Sequence, residues 1–184
     1  MVLAKKIFAK IFAFFVVSKI KKSYANAAQI QINILKRLIN KAKKTKFGIE
    51  HQFHKINSVE EYIDKVPVRD YEDIKKYIDE IKKGIKDILW PGKPKYLAKT
   101  SGTTSGAKYI PITNESMPNH ILSSRNALLF YIYETGDTSF LNGKTVFLQG
   151  SPVLDEINGI LIGRLSGIVA HHVPSYLRKN NLPS

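Results

Sequence analysis

Between two short apolar segments the sequence reads Thr100-Ser101-Gly102-Thr103-Thr104-Ser105-Gly106-Ala107, immediately ahead of Lys108. Glycines let backbone N–H groups turn inward and approach an anion closely. Hydroxyl side chains donate to phosphate oxygens, and a lysine adds a mobile point charge. Together these groups make the donor set of a triphosphate or pyrophosphate cradle. The same residues also suit an ordinary polar β-hairpin loop, and their spacing alone does not separate the two readings. A Walker A loop is excluded. Counted from Gly102, it needs Gly at 107 and Ser or Thr at 109, where Ala107 and Tyr109 stand.

The elements that would position this loop are two strands. Tyr96-Leu97-Ala98-Lys99 reads as one, and Lys108-Tyr109-Ile110-Pro111-Ile112 as the other. Thr113, with Ser116 three residues on, caps a helix running to about Tyr133. Lys144 to Gln149 reads as a core strand that leaves through Gly150-Ser151-Pro152. The apolar stretch from Gly159 to Ala170, punctuated by Gly163 and Gly167, suits an acyl pocket or close backbone packing. Trp90-Pro91-Gly92-Lys93-Pro94 is a turn-rich connector. Composition changes there from Lys/Glu-rich helix to β-branched, glycine-punctuated sequence. The expected architecture is therefore α/β: a helical N-terminal region, 1–94, followed by an α/β core, 95–184, that opens on the loop.

The helical region has its own signals. Ala28, Ile32, Leu35, Leu38, Ile39 and Ala42 recur at spacings of three and four, which predicts a helix over about Ala25 to Lys44 with Gly48 as its stop. Ser58 and Glu61 predict a capping box for a short helix, Val59 to Lys65, that ends before Pro67. A helix of about Tyr71 to Lys83 follows. It carries Ile74, Ile78 and Ile81 on its apolar stripe and ends at Gly84.

Charge is unevenly placed in this 184-residue chain of net charge +14. Residues 1–50 carry +11, 51–100 carry +2 and 101–184 carry +1. Lys41, Lys43 and Lys44 close the second helix; nucleic-acid binding would pair such lysines with exposed aromatics or arginines, and Arg37 is the only arginine there, so they read as a solvated helix end and no nucleic-acid partner is expected. The longest apolar run, Ile11 to Val17, is far short of the ~20 residues a spanning helix needs. Lys19, Lys21 and Lys22 between this run and Ala25-Asn26-Ala27 argue against a cleaved leader. Phe8, Ile11, Phe12, Phe15 and Val16 share one stripe of the first helix. Two occupants suit that stripe: the rest of the protein, or an anionic membrane surface met by residues 1–22.

The chain has no cysteine, which excludes a disulfide framework, a thiolate metal site and a cysteine nucleophile, and fits a cytoplasmic location. His51 and His54 stand three apart with no third metal ligand in view, so they read as exposed polar residues and no metal site is assigned. His171 and His172 point to different faces of any regular element, one toward core and one toward solvent. No nucleophile elbow exists around Ser166, because Arg164 occupies the place of its first glycine. Thr135-Gly136-Asp137 reads as a helix-ending turn.

Thr100-Ser101-Gly102-Thr103-Thr104, with Lys108 at the ninth place, resembles the phosphate-loop signature of adenylate-forming enzymes such as acyl-CoA synthetases, firefly luciferase and peptide-synthetase adenylation domains. Two flanking features narrow the resemblance. One is the continuation Lys108-Tyr109-Ile110-Pro111-Ile112-Thr113. The other is Phe47-Gly48 after a lysine-rich helix, followed by Val66-Pro67-Val68-Arg69-Asp70-Tyr71. Both resemble the auxin-responsive promoter family of acyl-acid amido synthetases, in its bacterial form, over about residues 25–184. The resemblance implies MgATP-dependent activation of a carboxylic acid to an acyl-adenylate, with release of pyrophosphate. Transfer of the acyl group to an amine, usually of an amino acid, would follow. It also implies that Thr100, Ser101, Gly102, Thr103, Thr104, Ser105 and Gly106 bind the nucleotide phosphates and that Lys108 is the catalytic cation. The chain departs from the family pattern at Ser105, Ala107 and Tyr109. Family members are considerably longer. Their Tyr-x-x-x-Glu segment, ribose-binding Gly-Asp element and small C-terminal domain are not found in place here. The expectation is an N-terminal part of such a ligase that does not complete the reaction alone.

Overall fold

A computed structural model describes residues 2–100, 106–146, 150–173 and 181–182. Five helices precede the sheet: α1 (Val2–Tyr24), α2 (Ala27–Ala42), α3 (Lys46–Glu50), α4 (Val59–Lys65) and α5 (Tyr71–Lys82). The strands and remaining helices follow as β1 (Tyr96–Lys99), β2 (Tyr109–Ile112), α6 (Met117–Thr135), β3 (Thr145–Val146), β4 (Asp155–Ile157), β5 (Ile160–Gly163), α7 (Leu165–Ala170) and β6 (Asn181–Leu182). The fold is α/β, as expected.

The main sheet has the order β2-β1-β5-β4. β1 runs antiparallel to β2, with Tyr96 opposite Ile112 and Lys99 opposite Tyr109, and parallel to β5, with Leu97 opposite Ile162. The central strands are buried because α5 lays Tyr77, Ile78 and Ile81 against Leu97, Ile160 and Ile162 on one face. On the other, Tyr96 and Ala98 meet Ile112, Met117 and Ile168. This two-sided cover explains why β1 and β5 read as unbroken apolar runs.

Local chemistry sets the helix ends. The Ser58 hydroxyl accepts from the Glu61 N–H at 3.1 Å. The expected reciprocal bond is shifted by one residue, because Glu61 accepts from the Asn57 N–H at 2.6 Å instead of from Ser58. A complete capping box stands one helix later, where Asp70 and Asp73 accept each other's backbone N–H groups. Thr113 and Ser116 exchange the predicted hydroxyl bonds, at 2.9 and 3.0 Å, but in a turn ahead of α6, which starts only at Met117. Gly136, in the left-handed region at φ 66°, ends α6.

Four expectations are corrected. Gly48 does not stop α2; it lies inside α3, where a Cβ would stand 2.1 Å from the Ala42 carbonyl oxygen, so only glycine lets the two helices approach. α2 ends through Thr45, whose buried hydroxyl donates to Ala42 O and accepts from Gly48 N–H. His51 is buried, not exposed: its Nδ1 lies 2.7 Å from Phe47 O and its ring stacks on Phe47. Of the expected core strand Lys144–Gln149, residues 147–149 lie outside the described residues, and Thr145–Val146 pairs with β6 outside the main sheet, with Val146 exposed. Lastly, α1 docks on α6 through Ala9, Ala13, Val16 and Val17; of the expected stripe only Val16 joins that packing and Phe12 meets Arg125, while Phe8, Ile11 and Phe15 stay exposed. Small residues let the helix axes come close, while Phe8 and Phe15 stay outside.

α3 and α5 are joined by a polar bond inside the apolar packing. The Tyr77 hydroxyl donates to Glu50, and Phe47 packs edge-on to the Tyr77 ring. Burial and this bond push the Tyr77 phenol up to about 12, and the bond holds the Glu50 carboxyl below its ordinary range. A raised phenol stabilises the fold fully below its unfolded value of about 10, and that contribution disappears as pH rises through 12. The Glu50 contribution behaves oppositely, being lost on acidification. Urea unfolding at stepped pH should therefore show the gap between wild type and Tyr77→Phe closing between pH 10 and 12. A gap unchanged over that interval contradicts the assignment.

Candidate functional site

The phosphate-loop candidate closes the β1–β2 hairpin. Its two ends are pinned together, the Thr100 N–H donating to Lys108 O at 2.9 Å. Gly106 sits at φ 85°, a left-handed conformation that a side chain would strain, and among the described residues no atom beyond its chain neighbours lies within 4 Å of the position a Cβ would take. Ser101, Gly102, Thr103, Thr104 and Ser105 lie outside the described residues. Of the sequence-predicted site, Thr100, Gly106 and Lys108 are thus placed on one hairpin end.

Lys108 is held from the helical region. Its Nζ stands 5.3 Å from the centroid of the Tyr71 ring, a cation–π contact. The Tyr71 hydroxyl accepts the Tyr109 N–H at 2.8 Å, which satisfies a donor on the outer edge of the sheet. Tyr71 is the first residue of α5, and the Asp70–Asp73 capping box fixes that helix start. Lys82, at the other end of α5, lies 4.5 Å from the Tyr109 ring. One helix therefore clamps both residues that follow the loop. Nearby in sequence, the Arg69 guanidinium lies over Phe47, and its buried Nη1 has no hydrogen-bond partner among the described residues.

Sequence reasoning missed Tyr71. It read the Val66–Tyr71 segment only as a flanking feature, and a bond between residues 38 apart leaves no periodic trace. The remaining candidates resolve into structural roles. His172 bonds the Tyr96 hydroxyl at 3.0 Å and the exposed His171 bonds Pro152 O, so the pair divides between core side and solvent as its spacing implies. Asp137 accepts from Ser139 and Tyr131 in the turn after α6. Gly163 and Gly167 are close-packing positions, where a Cβ would stand 2.4 Å from the Leu154 side chain and 2.2 Å from Ser151 O. No group of three His, Asp or Glu residues suited to a metal occurs among the described residues. A cleft of about 580 Å³ lies between α2 and the segment after β2, with Leu38, Trp90 and Pro111 on its walls. Burial would raise the Glu115 carboxyl in it, but the Trp90 indole N–H and Lys41 outweigh that and hold it low.

A helical region feeding a small mixed sheet matches the N-terminal part of solved acyl acid amido synthetase structures. The structure of the GH3.15 acyl acid amido synthetase superposes with a TM-score of 0.74 over 85% of this chain and 28% of that one, at 24% identity. The same enzyme in complex with 2,4-DB gives 0.72 over 90% of this chain and 28% of that one, at 22% identity. At these identities the likeness is one of fold. In sequence, the indole-3-acetic acid-amido synthetase GH3.15 of Arabidopsis thaliana is 34% identical over 117 residues, 60% of this chain and 19% of the relative. The GH3 family N-terminal domain matches residues 16–182, and the chain belongs to that family. It spans about a fifth of the length of this curated relative.

Tyr71→Phe removes the acceptor for the Tyr109 N–H and keeps the ring beneath Lys108. Leaving that donor unmet costs about 1–3 kcal/mol. The Tyr109 amide should then exchange with solvent about tenfold faster or more, while amides of the α1–α6 pair keep their protection. Unchanged Tyr109 protection in Tyr71→Phe contradicts the clamp.

Proposed function

We propose that this chain is the phosphate-binding N-terminal part of an ATP-dependent ligase that activates a carboxylic acid and passes its acyl group to an amine, an amino acid being the natural acceptor. The observation that carries the reading is the hairpin loop, with Lys108 at its exit fixed over the Tyr71 ring, in a chain of the GH3 family.

The residues fit a nucleotide's phosphates. Gly106 holds the left-handed backbone such a loop needs. Thr100 and Lys108 bracket a stretch whose side chains are hydroxyls and whose backbone offers N–H donors. Thr100, Ser101, Gly102, Thr103, Thr104, Ser105 and Gly106 would hold the β- and γ-phosphates. ATP supplies the leaving group against which the acid is activated, and magnesium accompanies its phosphates. Donors aimed where pyrophosphate charge develops, in a geometry set beforehand, stabilise the transition state. Lys108 supplies the mobile cation of that set, and the Tyr71 face restricts where its Nζ can go. This limits the reorganisation needed when the charge appears. The site works in the cytoplasm on this reading, with substrates drawn from small acids and amino acids.

Acid-dependent exchange of labelled pyrophosphate into ATP tests the reading in the protein that carries this chain. Lys108→Ala should lower the exchange by about 100-fold, the scale of losing one donor to a developing oxyanion. Exchange that is independent of any acid, or unchanged in Lys108→Ala, overturns it.

A further inference from the structure

α1 is apolar on two opposite faces. The inner face is small: Ala13 and Val17 are fully buried against Leu129 and Ile132 of α6, with Ala9 beside them. The outer face is large. Leu3, Ile7, Phe8, Ile11 and Phe15 fall on one side of the helix at 3.6 residues per turn and are 71, 51, 68, 51 and 66% exposed. Phe12 and Phe14 flank this face and lean back on the protein, toward Arg125 and Tyr133. The face is also held in place. Lys21 pairs with Glu134 at 2.7 Å and lies over Tyr133, and Lys5 donates to Leu141 O at 2.8 Å.

We propose that this face of α1 docks on an anionic lipid bilayer, with Leu3, Ile7, Phe8, Ile11 and Phe15 entering the boundary between headgroups and acyl chains. Charge complementarity identifies the occupant. α1 carries six lysines and no acid, and the first acidic residue of the chain is Glu50. The outer face runs on into exposed Lys19 and Lys22, and exposed Lys10 borders it, so its apolar half is continued and rimmed by cations. An interfacial helix has this composition. A second copy of the chain would set six lysines against six, which disfavours self-association. The family's N-terminal domain begins its match at residue 16, after all of these outward apolar residues. None of the described helices is long and apolar enough to cross a membrane, so α1 lies on the surface. The inference is independent of the ligase reading.

Co-sedimentation of the full chain with vesicles tests it. Binding is expected to equimolar phosphatidylserine and phosphatidylcholine, and not to phosphatidylcholine alone. Raising salt from about 0.1 M to about 1 M, which shortens the screening length from ~10 to ~3 Å, should release most of the bound protein. Phe8→Ser with Phe15→Ser should weaken binding by about tenfold or more with an unchanged circular dichroism spectrum, since both side chains are exposed. Lys10→Glu with Lys22→Glu should weaken it comparably. The proposal is overturned by no pelleting, by pelleting equal on neutral vesicles, or by pelleting indifferent to the phenylalanine substitutions. A dimer in sedimentation velocity that those substitutions disperse also overturns it, because a second copy then fills the face.

Discussion

The contact on which the rest depends joins the N-terminus of α5 to the exit of the hairpin loop. Tyr71 does two things with one side chain, accepting the Tyr109 N–H at 2.8 Å and placing its ring under Lys108. Neither works unless α5 starts where it does, and the Asp70–Asp73 box sets that start. The height of α5 above the sheet is set in turn by Tyr77, Ile78 and Ile81 on Leu97, Ile160 and Ile162. A chain of ordinary packing and capping thus ends in the position of one ammonium group. On the proposed reading, a placement set beforehand suits a pyrophosphate site, because donors that must reorganise give back much of what they stabilise.

The helices before α5 serve the same end less directly. Gly48 lets α3 press against the end of α2, and Phe47 then reaches Tyr77 and His51. The backbone N–H groups of Lys46 and Phe47 bond Asp87 O and Ile88 O, in the connector before β1. The helical region is therefore stitched to the sheet by backbone bonds as well as by apolar contact. α1 stands apart from this arrangement, using small residues inward on α6 and large ones outward.

Much of the fold was legible in the chain. The strands flanking the loop, the α4 and α5 boundaries and the turn at Gly136 all follow from periodicity, Pro67, Gly84 and Gly136, because these signals are local. What escaped is what needs a partner far away. Gly48 reads as a stop from its neighbours and as a packing glycine only once Ala42 is beside it. His51 looks like any surface histidine until Phe47 covers it. Periodicity showed a stripe on α1, yet side-chain size decided which face docks, and the small face carries the weaker apolar signal. At the site, the flanking strand signals placed Thr100 and Lys108 at the ends of one loop, whereas Tyr71, 38 residues before Tyr109, has no signature in spacing.

The central claim is that the 100–108 hairpin loop is an anion cradle whose lysine is positioned from α5. Amide and lysine-methylene chemical shifts of the chain, followed during titration with inorganic pyrophosphate, test it most directly. Saturable shifts confined to Thr100–Tyr109, the Lys108 side chain and Tyr71 are the predicted result. Shifts that spread over the α1 and α2 lysines and vanish with modest salt, with the loop unmoved, would contradict it.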